Sequence, residues 1–239
     1  MKRLILPLLL LVSLAGISQS GGLLKKAGGL LGKGKSGAGL SNEDIVSGLK
    51  EALSVGAQNS ASKLSSLNGF MSNAAIKVLM PDEAKKVEST LRSAGLGKLV
   101  DDAILSMNRA AEEASKSAAP IFVDAVKGMN VQDALGILRG NDSAATTYLK
   151  GKTWQPLTNA FKPVIDGALE KTGATKYWAA VFEAYNKIPL TKKVNTDLSN
   201  YVTGRALGGM FYQVALEEQN IRKNPAARVN DILKKVFGS

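Results

Sequence analysis

The chain has 239 residues, 30 of them alanine, with 45% hydrophobic but only 5% aromatic side chains, and a net charge of +11 from 31 basic and 20 acidic groups. It contains neither cysteine nor histidine, which excludes disulfide scaffolds, thiolate nucleophiles and histidine-dependent triads. Zinc, copper and haem sites normally draw on the same two residues, so only oxygen-held ions such as calcium or magnesium stay open, and no cofactor is expected.

At the front, Lys2 and Arg3 precede an apolar run over residues 4–15, and Ser18 and Ser20 stand three and one positions before a cut at Gly21. This is the three-part pattern of a secretory signal, and residues 1–20 are expected to be removed. The apolar run of about 12 residues falls short of the roughly 20 that a bilayer needs, and no cysteine is available for a lipid. The expected address is periplasmic or secreted, soluble after removal of the signal.

Residues 21–40 hold eight of the 24 glycines and four lysines without one acid. Such sequence reads as a flexible tether, because glycine makes an ordered helix entropically costly. The competing reading is an interfacial segment, in which Leu23, Leu24, Leu30 and Leu31 meet lipid while the lysines meet an anionic membrane surface. Residues 41–239 keep a net charge of only +5. A mildly positive domain of that size needs no nucleic acid to explain it.

Helical signals begin at Ser41. Ser41 and Asp44 are spaced as a capping box, Leu40 and Ile45 as a staple around it, and Ile45, Leu49, Leu53 and Ala57 follow at steps of four. Pro81, Asp82 and Glu83 give a pre-set first turn with acids at the positive end of the dipole; Val87 and Leu91 supply its stripe and Gly95 its end. Leu99, Ala103, Met107, Ala110 and Ala114 continue as a long helix toward Pro120, where it kinks or restarts. Asn130 with Asp133 opens a segment closed by Gly140, and Asn141 and Asp142 cap the next, through Ala144 and Tyr148. Thr153 is read as the start of another, from Trp154 to about Lys171, in which Pro163 forces a break or bend. After Gly173 comes a compact apolar helix with Tyr177, Trp178, Val181, Phe182 and Tyr185, and then an extended connector, Ile188-Pro189-Leu190. The longest uninterrupted pattern runs from Asp197 to about Lys223. Asn224 as cap and Pro225 at the first helical position lead into a last helix with Ile232, Leu233, Val236 and Phe237.

No sustained period-two alternation supports strands. The expected fold is all-α, a compact multi-helix bundle forming a single domain over residues 41–239, with Gly204 and Gly208 taken as positions of close helix approach.

Eleven of the 13 aromatic residues lie from Tyr148 onward, which makes the C-terminal half the place for a dense core and for any pocket. On the helix from Asp197, Tyr201, Arg205, Gly208 or Gly209, and Tyr212 recur at three or four positions and share a side. Glu218 and Arg222 are four apart, acid first, the favourable order for a helical ion pair. Two readings are open for these residues: buried or half-buried charge that ties helices together, or a polar spot in an aromatic-lined cleft where Arg205 offers a fork of donors to a carboxylate or phosphate. Glu217 and Glu218 point about 100° apart on a helix and cannot form an acid and base pair. Gly140-Asn141-Asp142-Ser143 lacks the spaced acids of a calcium loop. No metal site is expected.

Ile137-Leu138 with Gly140, Ala144-Ala145-Thr146 with Tyr148, Ile188-Pro189-Leu190, Tyr201-Val202-Thr203, Phe211, Glu217-Glu218, Ile221-Arg222, Pro225, Arg228 and Leu233-Lys234-Lys235-Val236-Phe237 together resemble the bacterial domain-of-unknown-function family 4197. The likeness spans about residues 41–239 and is most specific in the last hundred. It implies an exported helical protein and brings no catalytic residue.

The expected function is a non-enzymatic helical binding or interaction domain, holding an apolar or anionic small molecule near Tyr201, Arg205, Tyr212, Glu218 and Arg222. An envelope-associated structural protein with a basic, membrane-touching tail is the alternative. A hydrolase working through carboxylates alone is the third, and it requires the fold to bring two acids together.

Overall fold

The computed structural model describes residues 40–189 and 197–238. The expected signal, the Gly/Lys-rich segment up to Gly39, and Leu190 of the connector lie outside the described residues. Among the described residues there are nine α-helices and no strand, so the chain is an all-α bundle.

Helix α1 (Asn42–Leu64) starts on its capping box: Ser41 Oγ accepts the Asp44 amide at 3.0 Å, and the Asp44 carboxylate accepts the Ser41 amide at 3.3 Å. Its stripe of Ile45, Leu49, Leu53 and Ala57 is fully buried. A turn-rich stretch and then an extended strip, residues 77–81, lead to a 3₁₀ turn at Asp82–Ala84 and helix α2 (Lys85–Ser93). The acids after Pro81 thus occupy a tighter turn than the α-helical one expected. Gly95, at φ +80°, ends α2 and lets the Leu96 amide reach back to the Leu91 carbonyl at 2.8 Å.

Helix α3 (Gly97–Ser115) buries Ala103, Met107, Ala110 and Ala114. The chain restarts as α4 (Ala118–Gly128), with Pro120 in the first turn, where its missing N–H costs no helical bond. Helix α5 (Ala134–Leu138) is capped by Asp133, whose carboxylate accepts the Gly136 amide at 2.9 Å. Asn130 has no part in that cap. Its carbonyl accepts the Tyr148 hydroxyl instead.

The next stretch departs from the expected pair of shorter helices. A single 28-residue helix, α6 (Ala144–Lys171), runs through Thr153, Pro156 and Pro163 without a break. Each interior proline costs about 3 kcal/mol in an isolated helix. Here both prolines are solvent-exposed, so the orphaned carbonyls meet water. The opposite stripe of Leu149, Thr153, Leu157, Phe161 and Ile165 stays buried past both prolines. Burial of large apolar side chains, worth about 1.5–3 kcal/mol each, offsets the prolines. Thr153 is no cap: its hydroxyl donates to the Leu149 carbonyl at 2.6 Å.

Gly173, at φ +70°, turns the chain into α7 (Ala174–Asn186). Helix α8 (Leu198–Lys223) begins at Asp197, which accepts the Asn200 amide at 3.0 Å. Asn224 and Pro225 initiate only a 3₁₀ turn (Pro225–Ala227). The last helix, α9 (Asp231–Phe237), has its own cap in Asn230.

Helix α1 is the axis of the bundle, touching α8, α4, α9 and α5, while α6 lies along α8 and α3, and α7 packs on α3. Phe211 of α8 meets Phe122 of α4 edge-on at 5.2 Å and stacks on Trp154 of α6 at 5.8 Å. Close helix approach occurs at Gly48, where an added Cβ would lie 2.5 Å from Val236 of α9; at Gly209 the close neighbour is Phe70 of the turn-rich stretch after α1, 2.5 Å from an added Cβ. It does not occur at Gly204 or Gly208, where an added Cβ would meet nothing within 4 Å.

Candidate functional site

Two of the five sequence-predicted site residues are structural. Glu218 is fully buried. Its carboxylate accepts the Ala145 amide at 3.0 Å, and the Thr146 amide and hydroxyl, each at 2.7 Å. The N-terminus of α6 is therefore capped by an acid more than seventy residues away, and not by Asn141 or Asp142. Arg222 completes the arrangement: its guanidinium sits 2.7–2.8 Å from Glu218 and donates to the carbonyls of Leu138 at 2.6 Å and Ile137 at 3.2 Å. One ion pair thus satisfies the end of α5 and the start of α6 together, and both side chains are largely buried.

Tyr201 and Arg205 hold the extended strip before α2. The Tyr201 hydroxyl donates to the Leu79 carbonyl at 2.8 Å, and Arg205 Nη2 donates to the Lys77 carbonyl at 3.1 Å. Burial raises the Tyr201 phenol above its ordinary value, although the nearby Arg205 charge opposes that. On the other side of the strip, buried Asn108 of α3 accepts the Val78 amide at 2.9 Å and donates to the Val78 carbonyl at 2.7 Å. One turn on, buried Glu112 accepts the Phe70 and Met71 amides, each at 3.2 Å, and pairs with Arg109 at 2.5 Å. Sequence reasoning missed this pair. The signal was present, since Asn108 and Glu112 are polar residues four apart on a helix whose stripe of Ala103, Met107, Ala110 and Ala114 is apolar.

Between the start of α6, the middle of α8 and the turn at Ala75 and Ile76 lies an open cleft of about 400 Å³. Arg205 and Tyr212 line it, with Lys150, Ser143 and Thr147 from the α6 side and Gly204 and Gly208 in the α8 wall. Tyr201 stands one turn before Arg205 and is not part of the lining. None of the lining residues is acidic. Arg205 gives one donor to Lys77 and has no carboxylate partner among the described residues; Lys150 is placed 5.2 Å over the Trp154 ring and likewise forms no ion pair. The Phe211 side of the cleft is held by Phe122 and Trp154.

The acids that a carboxylate pair would require are engaged separately. Glu183 is held below its ordinary value by the hydrogen bond from Lys187. Asp197 caps α8. Asp166 accepts from Ser199, whose hydroxyl in turn accepts from Lys162. Glu217 accepts from Asn59 at 3.1 Å. Among the described residues no group of three acids could hold a metal ion, and no helix is long and apolar enough to cross a membrane.

No curated protein and no solved structure matches the chain. A family model does, over residues 39–238, and its description reads "Protein of unknown function (DUF4197)". The aligned stretch includes the Glu218–Arg222 pair, the α6 start that it caps, and both walls of the cleft. The chain belongs to the DUF4197 family.

Proposed function

We propose that this domain is a non-enzymatic binding module of an exported protein, and that the cleft between α6 and α8 holds an anionic ligand. The observation that carries the reading is the pair of cations at the cleft, Arg205 and Lys150, with no acid in the lining and no ion pair of their own among the described residues. Fixed positive charge around a concave surface concentrates anions. A guanidinium with its Nε and Nη1 uncommitted offers the two-pronged donor set that carboxylates and phosphates accept. Export rests on the signal-like pattern of residues 1–20.

Native mass spectrometry of the chain purified from its own cells tests this. Wild-type protein is expected to carry a bound anionic species that is absent from the Arg205→Ala, Lys150→Ala double variant. A bare chain in both preparations, obtained under gentle desolvation, would contradict the reading.

A further inference from the structure

A small inorganic anion would use only the cationic edge of this cleft. The turn and the α8 wall are apolar or bare apart from Arg205 and Tyr212, with Ala75, Ile76, Phe211 and Ala215 and with Gly204 and Gly208 one turn apart, whereas the α6 side is polar, with Ser143, Thr146, Thr147 and Lys150. Glycine within a helix is costly, because it exposes backbone and loses more freedom on folding than any other residue. Packing explains Gly209, where Phe70 leaves no room for a Cβ, but it explains neither Gly204 nor Gly208, beside which an added Cβ meets nothing within 4 Å. What these two glycines provide is volume in the cleft. At about 30 Å³ per water-sized volume, some 400 Å³ accommodates about a dozen non-hydrogen atoms, more than twice an inorganic phosphate.

Resting on the reading of the cleft as an anion site, we infer that its ligand is a single-chain anionic amphiphile, with a phosphate or carboxylate head at Arg205 and Lys150 and a short apolar chain lying along Gly204 and Gly208. Charge complementarity selects the head. The unfilled apolar wall selects the chain, and both are within the usual size of ligand clefts.

Isothermal titration calorimetry with octyl phosphate, inorganic phosphate and octanol separates the parts. Octyl phosphate is expected to bind saturably and at least about tenfold more tightly than either of the others. Arg205→Ala weakens octyl phosphate by about tenfold or more, the usual scale for losing a charge-assisted contact. Gly208→Leu fills the wall and weakens octyl phosphate to the same degree while leaving inorganic phosphate unchanged; Gly208→Ala gives a smaller loss in a helix whose propensity it improves and in which it displaces no atom. Gly167→Leu is the control, because that α6 glycine also has nothing within 4 Å but is solvent-exposed and does not line this cleft. Octyl phosphate no tighter than inorganic phosphate overturns the chain part and leaves the anion site standing. Octanol as tight as octyl phosphate overturns the head, and no binding by any probe removes both readings. Phosphatidylglycerol vesicles distinguish the source of the head group: sedimentation with them that Arg205→Ala abolishes, without octyl phosphate binding, would replace a free amphiphile by a bilayer surface and overturn the inference.

Discussion

The carboxylate of Glu218 lies 2.7 Å from both the amide nitrogen and the hydroxyl of Thr146, so the last third of α8 supplies the N-cap of α6. This contact fixes one cleft wall against the other. Removing it leaves Arg222 buried without its counter-charge and the first amides of α6 without an acceptor. Glu218→Ala is expected to cost about 3–5 kcal/mol. Glu218→Gln keeps the shape and costs about 1–3 kcal/mol. Urea unfolding measures both, and adding Arg222→Ala to Glu218→Ala should cost less than the sum of the two single changes.

The open glycines make an opposite prediction. Gly204→Ala and Gly208→Ala should each stabilise the protein by about 0.5–1 kcal/mol, since helix propensity improves and no atom is displaced. Gly209→Ala and Gly48→Ala should destabilise it by about 1–3 kcal/mol through overpacking against Phe70 and Val236. Thermal unfolding of the four variants gives the signs directly.

Asn108 is the buried clamp on the extended strip before α2. Asn108→Ala strands both the amide and the carbonyl of Val78 away from water, at a cost of about 2–3 kcal/mol. Amide hydrogen exchange should show the Val78 amide losing protection before the amides of α1 do.

Acid sensitivity follows from paired carboxylates. Hydrogen bonds from Lys116 and then Lys171 hold Glu113 below its ordinary value of 4.5, and the bond from Lys235 holds Asp44 below 3.8. A depressed folded-state value means stability that is present above the unfolded value and lost as pH falls through the folded one. The urea midpoint should therefore fall as pH drops below about 4.5, the ordinary Glu113 value. Glu113→Gln should flatten part of that fall. Its effect at neutral pH should be under about 1 kcal/mol, because the two lysines are largely solvent-exposed.

Much of the fold was legible because local signals and burial agree. Ser41 with Asp44, Gly95, Gly173 and Asp197 end or begin helices where the sequence places them, each through a bond to a residue at most five positions away. The start of α6 at Ala144 follows the expectation, but its capping group does not, because Glu218 is remote in the chain; its length is not legible because proline preferences within a helix yield to a buried stripe on the far face. Of the five site residues expected from α8, Arg205 and Tyr212 line the cleft, Tyr201 fastens the strip beside it, and Glu218 with Arg222 form a sealed ion pair. Spacing alone placed Tyr201, Arg205 and Tyr212 on one side of α8. It could not show which polar groups the neighbouring helices would cover, nor that Lys150 of α6 would face Arg205 across the cleft.

The proposed attraction of anions to the cleft rests on Arg205 and Lys150. Titration of ¹⁵N-labelled protein with inorganic phosphate at low ionic strength measures it. Saturable shifts are expected at Arg205 Nε and at the amides of Ser143, Thr147, Lys150, Gly204 and Gly208, confined to these groups and abolished in the Arg205→Ala, Lys150→Ala variant. Shifts scattered over the exposed lysines of other helices, or unchanged in that variant, would contradict it.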